Sequence, residues 1–400
     1  MEHPARQRAS HDPLFTIAEH AFGVGIDPAE RARWAALLES GRTFYAERDG
    51  IEAGSLGVLP ASQSVPGGLL VDADLVTWVA TLPTHRRQGV MTELVGRVAS
   101  ERWSGDGRPG VAALWASEAR IYRRFGFGPA TTIRPLRIAP DRLRDDAGLA
   151  RAAEAAGPLA FSFVQPAQIS AEARPIHEAA VVARPAGIRR TPAFWDRWCS
   201  VGEFVGGSAA PRSIVAARRP DGALAGWIDY RREVPADDPL AEEGSTCRVM
   251  EVAATSPAVA AALWRFVVGL DLVEVAYTPW SLAPDDPLLR VVDDHRALAA
   301  TAPETWDGLW VRLCDPARVL ATRGWQGSGS MVLELDDPMG YASGTWQLEI
   351  RDGRAVVEAT TAAPDLSLRL DDAAALVFAD APLRELVAAS RAAVRSDGVI

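Results

Sequence analysis

The stretch "VATLPTHRRQGVMTELVGRVASERW", residues 79–103, joins three patterns end to end. A β-branched run closes at Thr81, a basic cluster of His85, Arg86 and Arg87 follows, and an apolar-periodic segment begins after Gly89. Val90, Leu94, Val98 and Trp103 fall near one stripe, which predicts a helix from Gly89 to Trp103. A strand therefore feeds a helix through a loop that carries two arginines and a glycine. The N-terminus of a helix leaves backbone N–H groups unpaired and bears a partial positive charge. Glycine lets a ligand approach the backbone there, and forked guanidinium groups match phosphate oxygens. The spacing Arg86-x-x-Gly89 is neither a dinucleotide fingerprint nor a P-loop. On its own it reads equally as an anion cradle or as a surface turn with two solvated arginines.

The chain has 400 residues, more than one core usually organises, so two or three domains are expected. Its 48% hydrophobic and 24% charged content is that of a globular protein. The net charge is −10 and all 42 basic residues are arginine, a balance that argues against a nucleic-acid partner and mildly favours cationic ones. Cys199, Cys247 and Cys314 are far apart, odd in number and without metal-ligand spacing, so free thiols in a reducing compartment are expected and no metal site. No stretch approaches the roughly 20 apolar residues of a membrane span, and the N-terminus lacks an apolar signal core. A cytoplasmic location is the expectation.

Working outward, "DPAERARWAALLESG" predicts a helix with Asp27 as N-cap, Pro28 at its first position, Glu30 completing a capping box and Gly41 beyond its end. "RTFYAER", "GSLGVLP" and "DADLVTWVAT" predict strands ahead of the opening stretch. After it come a buried-type strand "VAALWAS", a short helix around Ile121–Phe125 and "TTIRPLRI" as a closing strand. This is a mixed α/β pattern. "RDDAGLARAAEAAGPLAF" reads as a linker or surface helix. A second α/β pattern follows: a hairpin turning at Pro220-Asp221-Gly222, the strand "CRVMEVAA", a helix capped by Ser256, and the strand "VEVAYTPW". It echoes the first strand–helix–strand order, but "AATSPAVAA" stands where "TLPTHRRQG" stood, so its junction has no arginine or glycine and its role reads as structural. The third region, from "DGLWVRLCDPARVLATRGW", is α+β, with a hairpin turn at Arg351-Asp352-Gly353-Arg354.

The loop "LPTHRRQG", the strand end "AALWASE" and the segment "IYRRFGFGPAT" together resemble the Eis (enhanced intracellular survival) family of GNAT N-acetyltransferases. The resemblance implies two GNAT-type α/β domains, the second without the CoA loop, and a C-terminal sterol-carrier-type α+β domain. On the region breaks above, these span 1–145, 146–292 and 293–400. It also implies acetyl-CoA as co-substrate, a primary amine of a small molecule or a lysine-like group as acceptor, and a homohexamer. Carried over by position, Val79, Ala80 and Thr81 would meet the acetyl and pantetheine part of the donor. Arg86, Arg87, Gln88, Gly89, Val90, Met91 and Thr92 would hold its pyrophosphate, with Met91 where many relatives place a small residue. Ser117 and Glu118 would contact it from the facing strand. Tyr122 matches the family's general acid, which protonates the departing thiolate; otherwise it is a core aromatic of a short helix.

The first region offers no convincing side-chain base. The resemblance implies the chain's own terminal carboxylate, here Ile400 in place of the family's aromatic; the other reading of that segment is a frayed terminus. Phe22 and Trp34 stand where the family lines its amine pocket with aromatics, and would serve equally as amphipathic-helix core. Relatives that acetylate polycationic aminoglycosides carry acids in that pocket, whereas this chain has Val24 and Val399 at those positions. Two other functions stay open: a carrier that holds a lipid or other apolar ligand in the C-terminal domain, and a regulator that binds acetyl-CoA without turnover.

Overall fold

The computed structural model describes residues 11–200, 210–234, 245–279, 286–300, 306–378 and 381–395. The chain divides into two compact units. One comprises Met1–Thr131, Val181–Phe194 and Asp307–Ile400, and the other Thr132–Ala180 and Trp195–Trp306.

The first unit opens with two helices, α1 (Asp12–Phe22) and α2 (Pro28–Leu38). Gly23, at φ 68°, ends α1 in the left-handed conformation, and the Asp27 carboxylate caps α2 by accepting the Glu30 N–H at 2.9 Å. The Glu30 carboxylate itself turns to Arg33 Nε at 2.8 Å. Then come β1 (Arg42–Arg48), β2 (Ile51–Val65), β3 (Leu69–Thr81), α3 (Val90–Arg102), β4 (Val111–Trp115), α4 (Ala119–Tyr122) and the short β5 (Gly128–Pro129). Strands β1 to β3 form an antiparallel meander, and β3 pairs in parallel with β4. Helix α3 packs Val90, Leu94, Val95 and Val98 on the sheet, each such burial contributing about 1.5–3 kcal/mol. Gly54 of β2 lets its first turn lie close, since a β-carbon there would stand 2.3 Å from Val90.

The sheet is completed from far along the sequence. The strand Leu309–Leu313 lies between β4 and β5, antiparallel to both, and Ile188–Arg189 adds to β2. Beyond it a five-stranded sheet runs in the order Arg354–Ala359, Gly344–Arg351, Gly329–Asp336, Leu366–Arg369, Ala392–Val394. Val71, Val111 and Val311 of the first sheet share one core with Leu335, Leu348, Leu370 and Val377. The hairpin at Asp352-Gly353 forms as expected, with both residues at positive φ.

A buried ion pair ties these parts together. Arg312 and Asp337 have side chains with no exposed surface, and meet through two bonds of 2.8 and 2.6 Å. Arg312 Nη1 also donates to Phe125 O at 2.7 Å, and Asp337 accepts the N–H groups of Met339 and Ala342. Burial pushes the Asp337 carboxyl upward, but the Arg312 bonds and charge together with the two N–H groups outweigh it, and the group sits below its usual range.

In the second unit the strands run Leu298–Ala300, Leu136–Ile138, Val273–Thr278, Ser245–Ala254, Leu224–Glu233, Arg212–Arg218, Ala160–Phe163. Here one expectation is corrected. "TTIRPLRI" is not one strand closing the first sheet. It breaks at Pro135, which has no N–H for a ladder, and Leu136–Ile138 pairs with Val273–Thr278 in the second unit. Of the two readings of "RDDAGLARAAEAAGPLAF" the surface helix holds: Ala147–Glu154 is a helix capped by Asp146, with Leu149 buried in the same core as the helix Pro257–Val268 and Arg151 and Glu154 exposed.

Replacing Arg312 by Met leaves Asp337 buried without its counter-charge. The expected loss is about 3–5 kcal/mol in the urea transition that reports the first unit, and an unchanged midpoint would show the pair to be dispensable.

Candidate active site

Strand β3 makes the site by parting from its neighbour. It pairs with β4 only at Ala73, Asp74 and Leu75, while its pairing with β2 continues to Thr81. From Val76 onward its other edge has no strand beside it among the described residues, while β4 pairs along its far edge with Leu309–Leu313. Two parallel strands that separate toward their carboxyl ends leave a cleft with backbone N–H and C=O groups on its wall. Val79, Ala80 and Thr81 lie on that wall; β4 leads to Ser117 and Glu118 on the facing side, both exposed.

A bulge marks the parting. Ser55 faces Ala80 and Gly57 faces Thr77, so Leu56 is opposed by both Trp78 and Val79. Trp78 has φ 53°, uncommon for a bulky residue, and its surroundings hold it there. Its ring takes Phe15 of α1 edge-on at 5.3 Å and Trp34 of α2 edge-on at 5.2 Å, while its carbonyl accepts the Ser55 hydroxyl at 3.2 Å. Farther back Asp74, 1% exposed, accepts from Arg102 Nε at 2.8 Å, Arg102 Nη2 at 2.6 Å and Trp103 Nε1 at 3.1 Å, fixing the end of α3 to the point where β3 and β4 part.

The loop between β3 and α3 has the form the sequence implied. Arg87 at φ 64° and Gly89 at φ 78° are both left-handed, and Gly89 is the N-cap of α3. No side chain caps this helix, which leaves its first-turn N–H groups facing the loop. Arg86, Arg87, Gln88, Gly89 and Thr92 are exposed, Met91 is half-buried and Val90 is core. Arg86 Nη2 reaches the carbonyl of Ala21 at 3.1 Å, which joins the loop to the end of α1.

Tyr122 ends α4 with 4% exposure, its ring edge-on to Phe127 at 6.1 Å. The turn after it is closed by its own backbone: Gly126 N–H donates to Arg123 O at 3.0 Å and Phe127 N–H to Tyr122 O at 3.3 Å. Burial first, and the Glu118 charge second, push the phenol up to about 12. It holds its proton throughout the physiological range.

The remaining expected residues divide. Phe22 is 48% exposed at the end of α1 and Val24 46% exposed in the loop beyond, whereas Trp34 is 5% exposed and lies against Trp78 as well as the α1 core. Asp27 is occupied as a helix cap. Val399 and Ile400 lie outside the described residues. Sequence reading missed Trp78, Ser55, Asp74, Arg123 and Arg312. A bulge has no composition signal, but an arginine inside the apolar run Leu309–Cys314 was a visible one.

Set beside known proteins, the chain matches a family model of the acetyltransferase (GNAT) domain at residues 5–130, a second GNAT-domain model at 186–319 and a sterol carrier protein domain model at 316–398. It is 31% identical to the N-acetyltransferase Eis of Mycobacterium tuberculosis over 388 residues, covering 94% of this chain and 89% of that one. The chain belongs to the Eis family of N-acetyltransferases. An uncharacterized N-acetyltransferase of Streptomyces avermitilis is 29% identical over 374 residues, covering 93% of this chain and 87% of the relative. The crystal structure of Eis1 from Mycobacterium abscessus superposes with a TM-score of 0.76 at 28% identity, over 98% of this chain and 93% of that one. The Eis-family chain therefore has two GNAT domains followed by a sterol-carrier-type domain, and is an acetyltransferase. Among its described residues no helix is long and apolar enough to cross a membrane.

The raised phenol has a measurable consequence. Between pH 10 and 12 the unfolded chain gives up the Tyr122 proton while the folded chain keeps it, so stability falls as pH rises through that window and is intact below it. Wild type should lose thermal stability relative to Tyr122→Phe from pH 10 to 12, followed by circular dichroism; parallel curves would place the phenol at its ordinary value.

Proposed function

We propose that this Eis-family enzyme transfers acetyl from acetyl-CoA to a primary amine of a small molecule or a lysine-like acceptor, in the cleft between β3 and β4. The observation that carries the reading is that one parting of parallel strands brings three elements to the same ends: open backbone on Val79–Thr81, the arginine-glycine loop on an uncapped helix, and Tyr122. The pyrophosphate rests on the loop from Arg86 to Thr92, held by first-turn N–H groups and the Arg86 and Arg87 forks. The pantetheine runs along the exposed edge of β3, with Ser117 and Glu118 opposite. Phe22 borders the acceptor, and Trp34 supports that border through Trp78.

The amine nitrogen attacks the thioester carbonyl carbon, and backbone N–H groups at the bulge stabilise the oxyanion as charge develops. The C–S bond then breaks, and Tyr122 donates its proton to the thiolate sulfur. A phenol near 12 is a weak acid, and it gives up its proton as negative charge develops on the departing sulfur. The amine proton goes to a base, which the family resemblance assigns to the Ile400 carboxylate, a group outside the described residues. Val24, exposed beside Phe22, lends the acceptor side no charge, which favours amines with apolar stems over polycationic aminoglycosides.

Tyr122→Phe should lower kcat for CoA release by about 100-fold or more with acetyl-CoA affinity unchanged. Extending the chain by a few residues past Ile400 should abolish turnover while acetyl-CoA still binds. Full turnover in Tyr122→Phe would remove the acid, and no turnover with any amine would favour the regulator.

A carrier role has one observation of its own. Within the sterol-carrier-type domain a cavity of about 230 Å³ is lined by Leu320, Met331, Leu333, Leu366, Leu376 and Leu383, with Arg323 also on its wall. The Arg323 guanidinium lies 4.4 Å from the Trp325 ring, and burial lowers it to about 10. Quenching of tryptophan fluorescence by an aliphatic carboxylate, lost in Arg323→Gln, is the expected sign; an unresponsive signal leaves the cavity as plain core.

A further inference from the structure

Two consecutive carboxylates in the C-terminal domain hold the residue next to Tyr122. Asp371 and Asp372 occupy the first turn of the helix Leu370–Val377, with 1% and 3% exposure. Arg123 Nη1 donates to Asp371 Oδ2 at 2.7 Å and lies 3.4 Å from Asp372 Oδ1. Arg391 Nε meets Asp372 Oδ1 at 2.5 Å and its Nη2 is 3.4 Å from Asp371 Oδ2. Arg369 Nε reaches Asp371 Oδ1 at 3.0 Å. Two buried carboxylates side by side are costly unless cations neutralise both, and here three guanidinium groups from three places in the chain do so. The helix is seated hard against the first sheet. A β-carbon on Gly128 would stand 1.6 Å from the carbonyl oxygen of Asp371, so only glycine allows the approach.

The geometry points to Asp371 and Asp372 as positioning residues that set the place of Tyr122 through Arg123, an inference that rests on Tyr122 being the general acid. A contact serving only to glue the domain down could use any surface side chain. This one takes the residue bonded to Tyr122, within a turn closed by two backbone hydrogen bonds, Gly126 N–H to Arg123 O and Phe127 N–H to Tyr122 O. Holding that guanidinium at Asp371 restricts the backbone frame from which the phenol projects. Arg312 grips the far side of the same turn at Phe125 O, which leaves the Arg123 end as the part the carboxylates govern. Misplacement by about 1 Å at a reacting centre can cost on the order of 100-fold in rate.

The test compares Arg123→Met, Arg123→Lys, Tyr122→Phe and the double variant Tyr122→Phe/Arg123→Met, in the full chain, for kcat, KM for acetyl-CoA and melting temperature. Arg123→Met should lower kcat by about 10- to 100-fold with KM for acetyl-CoA within about 2-fold. Arg123→Lys, which keeps charge and much of the reach, should recover part of that loss. In the Tyr122→Phe background the second substitution should cost nothing further, because its effect passes through the phenol. If Arg123→Met fails to fold, the isosteric Asp372→Asn is read in the same way. Full kcat in these variants while Tyr122→Phe is impaired overturns the positioning role, as does a loss that adds fully to that of Tyr122→Phe. Full kcat in Tyr122→Phe itself is a separate result: it removes the acid and the positioning role with it.

Discussion

The buried pair of Arg312 and Asp337 is the constraint on which the first unit depends. Arg312 belongs to a strand that the sequence places with the C-terminal domain but the fold places between β4 and β5. From there one guanidinium holds Asp337 in the C-terminal domain and the Phe125 carbonyl in the turn after Tyr122, and lies 5.7 Å from the Trp103 ring at the end of α3. Gly126 has no side chain because a β-carbon there would sit 2.3 Å from Arg312 Nη1. A buried ion pair is a poor source of net stability but an effective source of uniqueness, since every alternative packing strands a charge. In this molecule it fixes where one domain ends against the turn of another.

The cleft follows from where the ladder between β3 and β4 stops. A strand edge must be paired, covered or wet. Strand β4 satisfies its far edge with Leu309–Leu313, and the bulge at Trp78 carries β3 away from β4, so the β3 edge from Val76 onward has no strand beside it among the described residues. The strained φ of Trp78 is offset by the packing of Phe15 and Trp34, which ties the two N-terminal helices to the bulge. The burial that packs Tyr122 against Phe127 is also what raises its phenol.

Much of this was legible in residue order. The period from Gly89 to Trp103, the Asp27 and Ser256 caps and the Asp352-Gly353 turn are local signals, and each element formed where those signals stood. The loop at Arg86–Gly89 and the turn at Tyr122 were legible for the same reason, because each is built from neighbours in sequence. What escaped was long-range. Asp371 and Asp372 look like ordinary first-turn acids of a helix, and Arg123 like one of several arginines in "ARIYRRF". Nothing local says that they meet across some 250 residues.

The sequence by itself determined the local elements, the net negative charge and the arginine-glycine turn ahead of α3, because those depend on composition, on neighbours in the chain and on periodicity. Tertiary structure alone decided which strand completes the first sheet, where β3 and β4 part and how the C-terminal domain grips the Tyr122 turn. Those outcomes rest on hydrogen-bond and charge partners that are far apart in the chain, and a buried donor or charge chooses its partner only when the whole core closes around it.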